Sequence, residues 1–375
     1  MSVSMDQPRA RRRLGAASLA LAAALLSACA GNQPPELPPD LVYVAVQGDA
    51  EVAVVDAAGL EEVDRVDLQA LGFSSNAKPH HIAVEPDGSF WYVSLIGENR
   101  VLKFNRRNQL VDRFEFEVPG MLAVHPTENL LLIGRSMSAV NPPQRIGVVD
   151  REGFGLEEVD VFFPRPHAIA LSADGRRVYT ASLAVNQVGA VELESFGMEL
   201  TDIPGPVHTL VQFAVSPNGR TMVATGQLTG RLLVFDLADP DHPRLRSEVE
   251  VGGQPWHPVY DDAGEVVYFG IKVSNSIVAV DVESGAILWR AQGPSIDGPH
   301  GSALSPDGRY LFVSSNGPGG MDMSGGDMAG GGEMDHSAHD GATTGTLTIL
   351  DTRDGSIVKV LEMGTNATGV GGAAR

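Results

Sequence analysis

A short phrase recurs along this chain, an apolar run that ends in Pro-Asp-Gly or a close relative of it. It reads HIAVEPDG at 81–88, MLAVHPTE at 121–128, AIALSADG at 168–175, QFAVSPNG at 212–219, HPVYDDAG at 257–264 and GSALSPDG at 301–308. A seventh copy, TGVGGAAR at 368–375, lacks the turn. Each turn is followed by a second β-rich run, FWYVSL, LLLIGR, RVYTAS, TMVATG, VVYFGI and YLFVSS. A third often ends in Asp, as at 148–150, 234–236, 279–281 and 349–351, and a fourth carries Val at alternating positions. Apolar patterning of period two between Asp-Gly or Asn-Gly turns is strand and hairpin chemistry. Four strands per repeat of about 45 residues make a propeller blade.

The ends predict how the ring closes. LVYVAVQGDAEVAVVD at 41–56 supplies second- and third-strand phrases with no first strand before them, and TGVGGAAR supplies a first strand with nothing after it. Together they make one blade. The expectation is an all-β, seven-bladed β-propeller of four-stranded blades over 41–375, closed by one blade shared between the two ends of the chain, which leaves no free sheet edge. Tyr92-Val93-Ser94, Val178-Tyr179-Thr180 and Leu311-Phe312-Val313, each just after a turn, resemble the YVTN-type, YncE-like propeller repeat. The resemblance covers roughly 41–375 and implies fold, not activity. It departs at Met121–Glu128 and His257–Gly264, where the phrases are degenerate.

The first 28 residues read differently. Arg9, Arg11, Arg12 and Arg13 precede an apolar stretch from Leu14 to Leu26, shorter than the roughly 20 residues a bilayer span needs. The stretch ends in Leu26-Ser27-Ala28-Cys29, which resembles the lipobox of bacterial lipoproteins and uses the single Cys in the chain. The resemblance implies a signal peptide over 1–28, cleavage before Cys29, acylation of Cys29, and a Pro-rich tether over 29–40. For a Gram-negative host, the resemblance implies the outer rather than the inner membrane, because Ala30 and not Asp follows the Cys, with the body facing the periplasm. Residues 1–28 carry four Arg and Asp6, a net +3, so the whole-chain charge of −20 becomes −23 for the remainder.

That acidity excludes nucleic acid as a partner, because phosphate attraction needs a Lys and Arg surplus. A lone Cys excludes thiolate zinc clusters and iron–sulfur centres, and no Cys-x-x-Cys-His occurs for covalent haem. Two features point instead to metal. First, His80, His167 and His300 each follow a Pro at the entrance to an inner strand, with His81, His257 and Met121 one residue later and His208 a few residues earlier in its repeat. Equivalent positions of different blades ring one mouth of the central channel, and imidazole suits zinc, copper, iron and nickel. The second, fourth and seventh blades are expected to hold the three Pro-His histidines spread around the ring. The arrangement distantly resembles nitrous-oxide reductase, whose propeller histidines hold a copper cluster, although the cysteines of that enzyme's second copper domain are missing here.

Second, residues 317–345 are rich in Gly, Met, His and acids and contain no Lys or Arg. Such a segment cannot bury a core and reads as a loop inserted in the last full blade. Met321, Met323, Met328 and Met334 offer thioethers for Cu(I); His336 and His339, beside Asp335 and Asp340, offer donors for Cu(II), zinc or nickel. The phrase Met334–Asp340 resembles the Met/His-rich segments of periplasmic copper-resistance proteins. The loop joins a second strand to a third, so it is expected on the face that carries the histidines.

No catalytic set accompanies these donors. No nucleophile elbow, P-loop or dinucleotide fingerprint is present. Propellers that hydrolyse lactones use a channel-mouth His or divalent ion, and His80, His167 and His300 fit that role without a visible base partner. A cytochrome d1-like propeller shares the repeat style without the added cytochrome c domain. The reading is therefore a binding or scaffold protein with copper as the first metal, against a lactonase-type hydrolase or a metal-free interaction platform.

Overall fold

The computed structural model describes residues 37–317 and 344–372. They form seven four-stranded antiparallel sheets, arranged as a propeller. Counted from the closing blade, the inner strands are Ala367–Gly372, Pro79–Val84, Pro119–Val124, Pro166–Leu171, Leu210–Val215, Val259–Tyr260 and Pro299–Leu304. The closing blade pairs Ala367–Gly372 with Leu41–Val46, followed outward by Glu51–Asp56 and Glu61–Asp67. This is the shared blade that the terminal phrases predict.

Burial follows position within the blade. Second strands such as Phe90–Leu95 and Arg177–Ser182 are buried almost throughout, because neighbouring blades cover both of their faces. Outermost strands such as Leu110–Glu115 are largely exposed. Apolar side chains interlock between blades: Trp91 of the second blade stacks on Tyr43 of the first at 4.7 Å between ring centres. The first turn of a blade is fixed chemically. Ser89 N–H donates to Asp87 at 2.9 Å, and Gly88 takes φ +68°, which a side chain would resist. In the third blade His125 stands before this turn, and its Nδ1 accepts from Glu128 N–H at 2.8 Å while Nε2 meets Gly175 O at 2.8 Å. Both nitrogens are used, so His125 is a structural cap.

The sixth blade departs from the sequence expectation of a full inner strand at 257–264. Its inner strand is only Val259–Tyr260, because Pro258 has no N–H to give to the ladder. Upstream, Pro255 makes an isolated bridge to Ile271 and Trp256 N–H donates to Gly270 O. Trp256 and His257 thus occupy the channel end where other blades begin a regular strand.

Candidate functional site

Inner strands start at the same end of the ring, and five histidines gather there. His80 and His81 come from the second blade, His167 from the fourth, His257 from the sixth and His300 from the seventh. His80, His167, His257 and His300 are buried, and His81 is half-buried. His257 and His300 rings meet edge to face at 4.8 Å, His80 and His300 at 5.5 Å, and His81 and His257 at 6.0 Å. Trp256 packs beside His300 at 5.2 Å.

The contact between His80 and His300 corrects the expectation that the Pro-His histidines stand apart around the mouth. The closing strand lies between their blades, and a Cβ on its Gly369 would collide with His80 O. With no side chain there, the two histidines close over the strand. The same device seats the others. A Cβ on Gly134 would strike His167 O, and one on Gly270 would lie 2.6 Å from Pro299 Cβ. Each Pro-His phrase therefore rests on a glycine of the preceding blade, a correspondence that no local pattern in the sequence reveals.

The rings differ in what their nitrogens do. His167 Nδ1 lies 2.6 Å from Arg135 O, and a carbonyl can only accept, so Nδ1 carries the proton and Nε2 keeps a lone pair. That Nε2 is buried without a partner. A carbonyl-oriented imidazole with a free Nε2 is the arrangement of a metal ligand. His80 Nδ1 and His300 Nδ1 are likewise buried and unpartnered. His81 differs: its Nδ1 accepts from Leu122 N–H at 3.2 Å, which leaves Nε2 as a proton donor when the ring is neutral.

All five rings are held neutral. Burial pushes His80 and His81 down to about 3 and His167 to about 4, and it drives His257 and His300 well below the ordinary value. Mutual repulsion adds to this, along with Lys272 for His80, His257 and His300, and Arg165 for His167. Neutral imidazole is the ligating form. Among the described residues, no three His, Asp or Glu side chains yet converge on one point as a closed ligand set. The rings of His80, His81, His257 and His300 meet edge to face, so closing a set requires them to rotate.

Lys272 and Asn316, which the sequence reading passed over, border the cluster. Lys272 Nζ lies 4.3 Å from the centre of the Trp256 ring and donates to Asn316 Oδ1 at 2.8 Å. Both residues directly follow a second strand. The same register holds Gln47, Ser136 and Gln227, all buried, so a signal existed: Lys272 is the lysine among these polar residues. Asn316 also donates to Ala367 O at 2.8 Å, pinning the seventh blade to the closing strand. Ser315 pairs with both Pro299 and Thr346, so the chain leaves and re-enters this blade at the end that carries His300. The residues between, including Met321, Met323, Met328, Met334, His336 and His339, lie outside the described residues, as does Cys29. His208 stays apart: Nδ1 pairs with Thr229 Oγ1 at 2.8 Å, and burial lowers its pKa.

The histidine face also exposes apolar side chains on its connecting loops, Val140 at 89%, Phe162 at 70%, Leu228 at 65% and Val273 at 69%. The opposite face offers a cleft of about 570 Å³ lined by Arg220, Asp236, Arg246 and Asp281, with no histidine. No helix among the described residues is long and apolar enough to cross a membrane.

No family model matches this sequence, and no curated protein matches it. Solved structures do. A protein of unknown function from Desulfotomaculum acetoxidans superimposes with a TM-score of 0.67 at 13% identity, over 89% of this chain and 99% of that one. Kuenenia stuttgartiensis hydrazine synthase gives 0.61 at 18% identity, over 78% and 89%. A dihydro-heme d1 dehydrogenase in complex with DHE gives 0.61 at 16%, over 90% and 76%. At these identities the likeness carries the propeller fold and nothing more.

Proposed function

We propose that this chain is an extracytoplasmic, lipid-anchored propeller that binds a transition metal, copper first, at the histidine end of its channel. The observation that carries the reading is His167: a buried ring with Nδ1–H directed to a carbonyl and an unpartnered Nε2, near enough to His80, His81 and His257 to repel their protonated forms. His80 and His300 supply further nitrogen donors, and His257, in a degenerate phrase, joins them. The thioethers of Met321, Met323, Met328 and Met334 and the rings of His336 and His339 extend the same chemistry, on a segment whose two ends are fixed beside His300. A metal there would be held by nitrogen donors of borderline softness, which suits Cu(II), zinc or nickel.

Calorimetric titration of the full chain with Cu(II) and with zinc tests the reading. One tight site is expected. His167→Ala is expected to weaken it by roughly 10- to 100-fold, the scale on which positioned ligands matter. Deleting 318–343 is expected to leave that site and remove weaker additional binding. No tight site in the intact chain would favour the second reading, a protein-interaction platform, which draws on the exposed Val140, Phe162, Leu228 and Val273 of the same face. Anchoring is tested separately. Cys29→Ala, expressed in a Gram-negative host, is expected to move the protein from the membrane fraction to the soluble one. Unchanged membrane retention would contradict acylation at Cys29.

A further inference from the structure

The donors beside the histidines do not suit a metal. Trp256 is buried, and its Nε1–H has no hydrogen-bond partner. Lys272 stands over the same ring. Its side chain is half-buried, but its ammonium end is packed against Trp256 and Asn316, and no ion pair joins it to a carboxylate among the described residues. The Lys272 contact with Asn316 Oδ1 is to a neutral acceptor. His300 Nδ1, also unpartnered, belongs to the ring 5.2 Å from Trp256. Burial pushes the Lys272 ammonium down to about 7, so its charged form is costly without a counter-ion, and a buried N–H without an acceptor is costly too; one anion would relieve both and hold the lysine protonated.

We propose that Lys272 and Trp256 form an anion subsite at the channel end that takes a small monovalent oxyanion of carboxylate or nitrite size. The charge argues for one negative charge, since Lys272 is the cation that acts on His80, His257 and His300, while Arg165 acts on His167. Size follows from the crowding of Trp256, His257 and His300, whose ring centres lie 4.8 to 6.0 Å apart. Its two donors, Lys272 and Trp256, are not among the proposed metal donors, so the subsite can be tested without metal.

The test is calorimetric titration of the metal-stripped full chain with sodium nitrite and with sodium acetate, at constant chloride. One saturable site is expected for at least one of the two anions. Lys272→Met is expected to weaken it by roughly tenfold or more, and Trp256→Phe by a few-fold, because the first removes the charge and the second only the N–H donor. His167→Ala is expected to leave anion affinity unchanged, which separates this proposal from the metal reading. Lys272→Met removes an uncompensated enclosed charge, so its thermal midpoint should be equal or higher, and lost binding cannot be laid to unfolding. Absence of binding in the intact chain overturns the proposal. So does equal affinity in Lys272→Met, or binding that appears only after 318–343 is deleted. That last outcome would make one of the chain's own carboxylates the occupant.

Discussion

Lowering the pH from 6.5 to 4.5 is expected to destabilise the metal-free protein by several kcal/mol. The groups responsible are the channel-end histidines. An unfolded histidine titrates near 6.5, whereas His80 and His167 are pushed to about 3 and about 4 in the fold. Between those values the unfolded chain binds protons that the folded chain refuses. Stability is therefore full above pH 6.5 and falls as the pH drops toward 4. Each ring contributes about 1.4 kcal/mol per pH unit inside this window, so His80 and His167 alone account for roughly 5 kcal/mol over two units. His81, His257 and His300 act in the same direction. Asp351, held at about 2 by Arg353, loses its contribution only in stronger acid. Thermal midpoints measured across pH 7 to 4.5 would show a steep fall. His80→Gln and His167→Gln, which cannot take up the proton, should each flatten it. A midpoint independent of pH over this range would mean that the rings are protonated or solvated in the folded protein, contrary to their burial.

Gly369→Ala is expected to be the most damaging single methyl addition near the site. Its Cβ would collide with His80 O and lie 2.9 Å from His81 Cα, backbone atoms that cannot rotate away. The closing strand would have to move off the second blade, and the ring closes through that strand. A loss of about 3 kcal/mol or more is expected, the upper end of overpacking penalties, with the thermal midpoint lowered by several degrees. Gly155→Ala, where nothing lies within 4 Å of the added atom and φ is ordinary, is the control expected to change little. Because Gly369 also lets His80 approach His300, the damaged variant should lose metal affinity even where it stays folded. An unchanged midpoint in Gly369→Ala would contradict the tight closure described here.

The repeat was legible because propeller strands carry period-two patterning and each first turn announces itself with Asp-Gly or Asn-Gly. The closing blade was legible from two incomplete phrases at the chain ends. The short strand of the sixth blade was visible only as a degenerate phrase, with Pro258 as the physical cause. The site was half legible. Pro-His register placed His80, His167 and His300 at one mouth, but their closeness depends on Gly369, Gly134 and Gly270 in other blades, contacts that no local window contains. Lys272, Trp256 and Asn316 carry no motif. Lys272 emerges only when residues after the second strands are compared across blades, and Trp256 only when its N–H is found without a partner.

Whether neutral channel-end imidazoles ligate metal, as proposed, is read from electron paramagnetic resonance of the full chain with one equivalent of Cu(II). A single Cu(II) species is expected, with nitrogen hyperfine structure from at least three imidazoles, present with or without residues 318–343 and diminished by one nitrogen in His167→Ala. A spectrum with oxygen ligands only, or one that His167→Ala and His300→Ala both leave unchanged, would contradict it.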